Sequence, residues 1–256
     1  MLGAAVGSFL NVVVYRLPRR QSLLWPGSRC PACSHAIRAF DNVPVLGWLW
    51  LRGRCRDCRA PISARYPLIE AVVAGSFLLL GYVELFRAVP ATVPSTNQLV
   101  VFAGHAFLLC CLLAGGMIDW DGFPWPKSLL VPLFLVGLIW SLRFSIVVPQ
   151  NMWGISHPLL SLEPLFGHLV GALLGALLAM GIGRLTTNAD DTVRRRNLLC
   201  SLSAIGLWLG SFMAFGVAAT MCLLSVITRM VYQNVSIPLG IYPWAITLLG
   251  LFLAHL

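Results

Sequence analysis

The chain has 256 residues, 58% of them hydrophobic and 11% charged, with a formal net charge of +9. Soluble domains carry about 25% charged residues, so this composition excludes an ordinary soluble globule and places most of the chain in a bilayer. Ten arginines lie between Arg16 and Tyr66 against only Asp41 and Asp57, which leaves +8, nearly the whole excess, in one loop between apolar runs; that is the positive-inside pattern of a cytoplasmic loop next to membrane lipid, and without stacking aromatics arranged for bases it excludes nucleic acid as the partner.

The first apolar run, Leu2 to Tyr15, is shorter than the ~20 residues that cross a bilayer. It begins at Met1 with no basic segment ahead of it and no small-residue cleavage site, which argues against a cleaved signal peptide. The expectation is a first transmembrane helix over 1–15 that lacks its N-terminal turns, with the true start upstream.

Residues 16–66 form the basic insertion. It holds two C-x-x-C pairs, Cys30-Pro31-Ala32-Cys33 and Cys55-Arg56-Asp57-Cys58. Two such knuckles one short linker apart have the ligand spacing of a structural zinc site. The insertion is too small to fold on an apolar core alone, so metal binding would supply the missing folding energy. The alternative, two disulfides, needs an oxidising compartment, and the arginines point to the cytoplasm. Cys30, Cys33, Cys55 and Cys58 are the expected zinc ligands; His35, in the first knuckle, is not needed. Cys110, Cys111, Cys200 and Cys222 read as small core residues.

Residues 67–256 read as a multi-span membrane domain, with spans at roughly 67–86, 98–118, 129–147, 165–184, 198–213, 214–230 and 237–256. The run from Leu198 to Met230 is too long for one crossing and holds Gly206, Gly210 and Gly216, so it is divided near Phe212. The expected fold is an all-α polytopic membrane protein of about eight transmembrane helices with a small four-cysteine, zinc-ribbon-like cytoplasmic insertion. Lys127, Arg194, Arg195 and Arg196 fall in the 119–128 and 185–197 loops on the cytoplasmic side, whereas the opposite loops, 87–97 and 148–164, hold Arg87 as their only Lys or Arg. Trp48, Trp50, Trp120 and Trp125 read as interfacial belt residues, and Gly181-Ile182-Gly183 as a helix-packing segment.

Gly7-Ser8-Phe9-Leu10-Asn11-Val12-Val13-Val14-Tyr15-Arg16-Leu17-Pro18 resembles the opening of the bacterial type IV prepilin peptidases. The similarity continues through Pro26 to Cys30, Asp41 to Val45, Leu51 to Cys55, Ala60 to Ser63 and Arg65 to Glu70, with weaker matches from Ile118 to Pro132 and at Ile237-Pro238-Leu239-Gly240. The resemblance implies a polytopic aspartic endopeptidase of the bacterial inner membrane. Such an enzyme cuts the leader from type IV prepilins, and from the pseudopilins of type II secretion, on the cytoplasmic side. In many members it also methylates the new N-terminus with S-adenosylmethionine. The resemblance further implies two catalytic aspartates, the second in a Gly-x-Gly-Asp motif.

Asp119 matches the first of these, and Pro126 and Pro132 stand where the family's prolines follow it. An acid at the edge of a span is costly and points to function by itself. Asp121 matches a frequent family acid and reads as a loop residue or a helper; Lys127 stands where the family usually has another Asp. The second aspartate is missing. Ser201 to Gly210 match the segment after the motif, and counting back from Gly206 puts Leu198 at the Asp position, with Arg195 and Asn197 at the glycines. Aspartic proteolysis needs two carboxylates sharing one proton, and Leu198 cannot serve. Asp190 or Asp191 replaces it if the loop folds back; otherwise they form a solvated turn or cap a helix begun near Thr192. Glu70 matches a family Glu, read as orienting the Cys loop, contacting substrate, or lying at the interface. The expected function is a prepilin peptidase-like endopeptidase using Asp119 and a displaced acid. The alternative is a catalytically degenerate member that binds prepilin-like helices or retains only methyl transfer. Leu198→Asp with flanking glycines is the expected repair.

Overall fold

A computed structural model of the chain describes residues 1–86, 94–143, 163–186, 192–231 and 242–254. In order these form α1 (Leu2–Arg16), a 3₁₀ turn (Ala39–Asn42), α2 (Leu46–Trp50), α3 (Arg65–Gly81) running into a π turn (Tyr82–Phe86), α4 (Thr96–Trp120), α5 (Lys127–Arg143), α6 (Glu163–Thr186), α7 (Thr192–Val231) and α8 (Tyr242–Ala254). The all-α expectation holds: among the described residues there is no strand, only isolated bridges at Arg29–Ala36 and Arg54–Pro61. Two described segments, Arg65–Phe86 and Thr96–Trp120, are long and apolar enough to cross a membrane.

The division near Phe212 is not there. α7 is one helix of 40 residues, about 60 Å long at 1.5 Å per residue. No proline interrupts it, and its glycines do not break it. Gly206 leaves no room for a side chain because the Gly171 carbonyl of α6 lies against it. The eighth span expected from the split therefore has no separate helix among the described residues.

The chain divides into two compact units, Met1–Ala106 and Phe107–Ala254. In the first, α1 buries Gly3, Gly7, Leu10 and Val14 along one face. A Cβ at Gly7 would stand 2.7 Å from the Cα of Glu70, and one at Gly3 would stand 2.9 Å from that of Ala74. Glycines four apart thus bring α1 and α3 into backbone contact. Asn11 Nδ2 donates to the Tyr66 carbonyl at 3.2 Å. These contacts give physical reasons for Gly7 and Asn11 in the opening motif. Farther along, Phe77 meets Phe102 edge to face at 5.8 Å, and buried Glu84 bonds His105 Nδ1 at 2.5 Å.

In the second unit, small residues again set the closest approach. Gly175 of α6 faces the Leu202 carbonyl of α7, as Gly206 faces Gly171. Backbone-to-backbone packing of this kind is how helices associate where apolar burial gives no preference. Gly181 has nothing within 4 Å of where a Cβ would stand, so in the 181–183 segment it is Ile182, 5% exposed, that is buried. Trp208 anchors α7: its Nε1 donates to the Leu133 carbonyl at 3.0 Å, and its ring stacks on Trp140 at 5.3 Å.

The α1–α3 contact is testable. Gly7→Leu is expected to destabilise the protein by about 1–3 kcal/mol, because the added atoms overpack a backbone contact. Gly75→Leu, at a position with nothing within 4 Å, should change little. Denaturant unfolding in detergent micelles measures both.

Candidate functional site

The two knuckles fold alike. Cys30 N–H donates to the His35 carbonyl at 3.0 Å and Ser34 N–H to the Cys30 carbonyl at 2.8 Å; Cys55 N–H to Ala60 at 2.8 Å and Arg59 N–H to Cys55 at 3.0 Å repeat the pattern. Ser34 and Arg59, each just after a second cysteine, share φ +61. The four sulfurs converge within 4.8 Å of one another. Cys30 Sγ lies 3.8 Å from Cys58 Sγ and Cys33 Sγ 4.0 Å from Cys55 Sγ. Four sulfurs about 2.3 Å from a tetrahedral zinc stand about 3.8 Å apart, whereas a disulfide requires about 2.05 Å. All four are free thiols. The backbone N–H groups of Cys33 and Ala32 lower the Cys30 thiol from 9.0 to about 7. His35 N–H also favours the Cys33 thiolate, but burial and the three neighbouring thiols outweigh it and push that thiol up to about 12. The donor set fits zinc: Cys30, Cys33, Cys55 and Cys58 would hold it, and its charge would let all four sulfurs ionise together.

Two acids fix this insertion. Glu70 Oε2, buried on α3, accepts the Val45 N–H at 2.6 Å. Val45 has φ +64, a costly conformation for a β-branched residue, and a charged acceptor helps offset it. Glu70 therefore does orient the loop. Arg56 in the second knuckle grips Asp41 in two bonds of 2.6 and 2.7 Å, and this bonding holds the Asp41 carboxyl below its ordinary range. Trp48, half-buried, ties the loop together, its Nε1 donating to the Ile62 carbonyl at 2.9 Å. A cleft of about 660 Å³ is lined by Trp50, Leu51, Arg52, Arg54, Arg56 and Arg59. The four arginines of this wall would attract the carboxylate of S-adenosylmethionine and repel its sulfonium.

In the second unit, Asp119 sits in the last turn of α4 and is only 2% exposed. The helix ends on a glycine cap. Gly122 takes φ +78, its N–H donates to the Asp119 carbonyl at 2.9 Å, and Phe123 N–H donates to Ile118 at 3.0 Å. This Schellman pattern reverses the chain. Trp125 then packs its ring against Gly115 and is 3% exposed, so it is a core residue and not part of an interfacial belt.

Among the described residues, Asn197, in the second turn of α7, is brought to Asp119. Its Nδ2 donates to Asp119 Oδ1 at 2.7 Å and to the Phe123 carbonyl at 3.0 Å. Its Oδ1 accepts the Trp125 N–H at 2.9 Å. Partners of opposite character fix which end of the amide points where. Asn197 too is 2% exposed. Leu198 is buried, but one residue along a helix turns it by about 100° from Asn197. Of these two, Asn197 is the residue that meets Asp119, and the sequence register put it at a missing glycine. A buried amide in a helix needs partners, and that was the signal to follow. Asp190 and Asp191 lie outside the described residues.

One equivalent of zinc is expected to copurify with the protein. Chelation should unfold the insertion, because the metal stands in for a core, and proteolysis should then nick residues 29–62. Cys55→Ser should lose both the zinc and the protection. Metal analysis and limited proteolysis check this; two protected disulfides without zinc would contradict it.

Residues 1–83 match the bacterial peptidase A24 N-terminal domain. The chain is 38% identical over 202 residues to the prepilin leader peptidase/N-methyltransferase of Burkholderia pseudomallei (strain 1026b), covering 69% of this chain and 55% of that protein. To the protein of the same name from Myxococcus xanthus (strain DK1622) it is 41% identical over 140 residues, 54% of this chain and 38% of the relative. With that of Aeromonas salmonicida (strain A449) the identity is 32% over 233 residues, 80% of this chain and 70% of the relative. The chain thus spans about half the length of the Burkholderia relative, 55% of it. No solved structure matches the chain. The extent of the Aeromonas match, together with the matched N-terminal domain, shows that the chain belongs to the prepilin leader peptidase/N-methyltransferase family.

Proposed function

We propose that this chain is a member of that family in the bacterial inner membrane which receives prepilin- or pseudopilin-like helices at its cytoplasmic side and cleaves them weakly or not at all. Family membership supports the substrate class. The arginine-rich insertion over 16–66 supports the cytoplasmic orientation, since ten arginines stand against two aspartates there. Residues 67–256 would form the membrane domain.

The observation that carries the catalytic part is the pairing of Asp119 with an amide. Peptide hydrolysis by carboxylates needs one group to take a proton from water and another to give one. Asp119 can do one of these. Asn197, bonded to it at 2.7 Å, can do neither, because a carboxamide is neither acid nor base near neutral pH. Losing a general acid or base lowers the rate by about 10²–10⁴-fold.

An assay with the full chain in membranes and a leader-bearing type IV prepilin tests this. The precursor is expected to be captured by photo-crosslinking but cut at least about 10²-fold more slowly than by a family member with both aspartates. Robust cleavage lost in Asp119→Ala, and also in Asp190→Ala or Asp191→Ala, would establish a displaced pair instead. Absence of capture would place the chain outside prepilin processing.

A further inference from the structure

We propose that Asn197 stands where a second carboxylate would meet Asp119, so that the single substitution Asn197→Asp completes a two-carboxylate peptidase centre while Leu198→Asp does not. The inference rests on the reading of the chain as a prepilin-recognising member of its family, and it names the residue that limits catalysis. Counting along the sequence selects Leu198 for this place; the geometry selects its neighbour.

Aspartate has the shape of asparagine, with an oxygen where Nδ2 stands. In the variant that oxygen would lie where Nδ2 now lies, 2.7 Å from Asp119 Oδ1. Two carboxyl groups this close hold one proton between them, and the shared proton takes over the bond that the amide N–H makes now. The other oxygen keeps the Trp125 N–H, now 2.9 Å from Oδ1. The bond lost is the one from Nδ2 to the Phe123 carbonyl, at 3.0 Å. That loss loosens the 123–125 turn, which the amide ties to α7 beside Asp119. In the natural chain Asn197 is thus a positioning residue with two effects: it withholds the second acid, and it pins the turn next to the first.

The completed pair would hydrolyse a peptide bond in a balanced way. The ionised carboxylate takes a proton from water as the water oxygen bonds to the carbonyl carbon. The protonated partner gives its proton to the carbonyl oxygen. Collapse of the adduct breaks the C–N bond and the leaving nitrogen takes a proton, so one water is consumed and an acid and an amine are released. Leu198→Asp cannot do this, because its side chain leaves the helix about 100° away and Asn197 stays bonded to Asp119.

The test uses the full chain in membranes with a leader-bearing type IV prepilin, comparing the natural chain, Asn197→Asp, Leu198→Asp, and Asn197→Asp with Asp119→Asn. Cleavage is expected to rise about 10²-fold in Asn197→Asp, to stay at the natural level in Leu198→Asp, and to vanish when Asp119→Asn is added. A gain in Leu198→Asp alone, or a folded Asn197→Asp protein with no gain, overturns the proposal. Placement is read separately by disulfide trapping, with Cys110, Cys111, Cys200 and Cys222 replaced by Ser and a protease site inserted within 187–191. Asp119→Cys with Asn197→Cys should join the two fragments, and Asp119→Cys with Leu198→Cys should not. The reverse result overturns the placement even if Asn197→Asp fails to fold. Failure of the natural chain to capture the prepilin, with trapping at 119 and 197 intact, sinks the functional reading and leaves the pairing standing.

Discussion

A carboxylate buried at the end of an apolar helix must be met by donors, and in this chain the requirement draws three segments together. Asp119 is almost fully covered, and an unpartnered buried charge would cost several kcal/mol. The glycine cap at Gly122 turns the chain back, so that Phe123 and Trp125 present a carbonyl and an N–H next to the acid. Asn197 of α7 then bonds to all three. Its amide uses both donors and an acceptor, the arrangement in which a buried polar group stabilises a structure rather than weakening it. Packing around α7 holds this register: glycine contacts with α6 fix its depth, and the Trp208 bond to Leu133 ties it to α5.

The first unit follows a different rule. Its insertion has little apolar material to bury, and four sulfurs gather where a core would be. Two knuckles with the same backbone bonds provide the cradle. Glu70 and Asp41 secure it, one by holding Val45 in a strained conformation and the other through Arg56. Residues that look like family markers thus have local structural roles. Gly7 lets α1 touch α3, Asn11 bonds the start of α3, and Glu70 anchors the loop.

Much of this was legible in the sequence because the signals are local. Cysteine spacing is a ligand geometry written along the chain, and apolar length locates α3 to α6 within a few residues. The errors came from contacts between distant segments. Length and three glycines divide the long apolar run near Phe212, but Gly206, one of them, is a place where α6 comes close. Trp125 looked interfacial because tryptophan is common there, yet Gly115 opens a slot for its ring in the core. The side chain that meets Asp119 stands one position before the one that register selects, because register along a helix does not say which side chain faces a neighbour. An asparagine among arginines and leucines carried the information, through its need for partners rather than its alignment.

On the reading proposed above, the family's chemistry and this chain's geometry meet at one bond, that of the Asn197 amide with Asp119. A double-mutant cycle on Asp119→Ala and Asn197→Ala, read by denaturant unfolding in micelles, measures that bond most directly. A charge-assisted buried hydrogen bond predicts a coupling of about 1.5–3 kcal/mol between the two sites. Effects that add to within about 0.5 kcal/mol would mean that the two side chains do not meet, and would contradict the account.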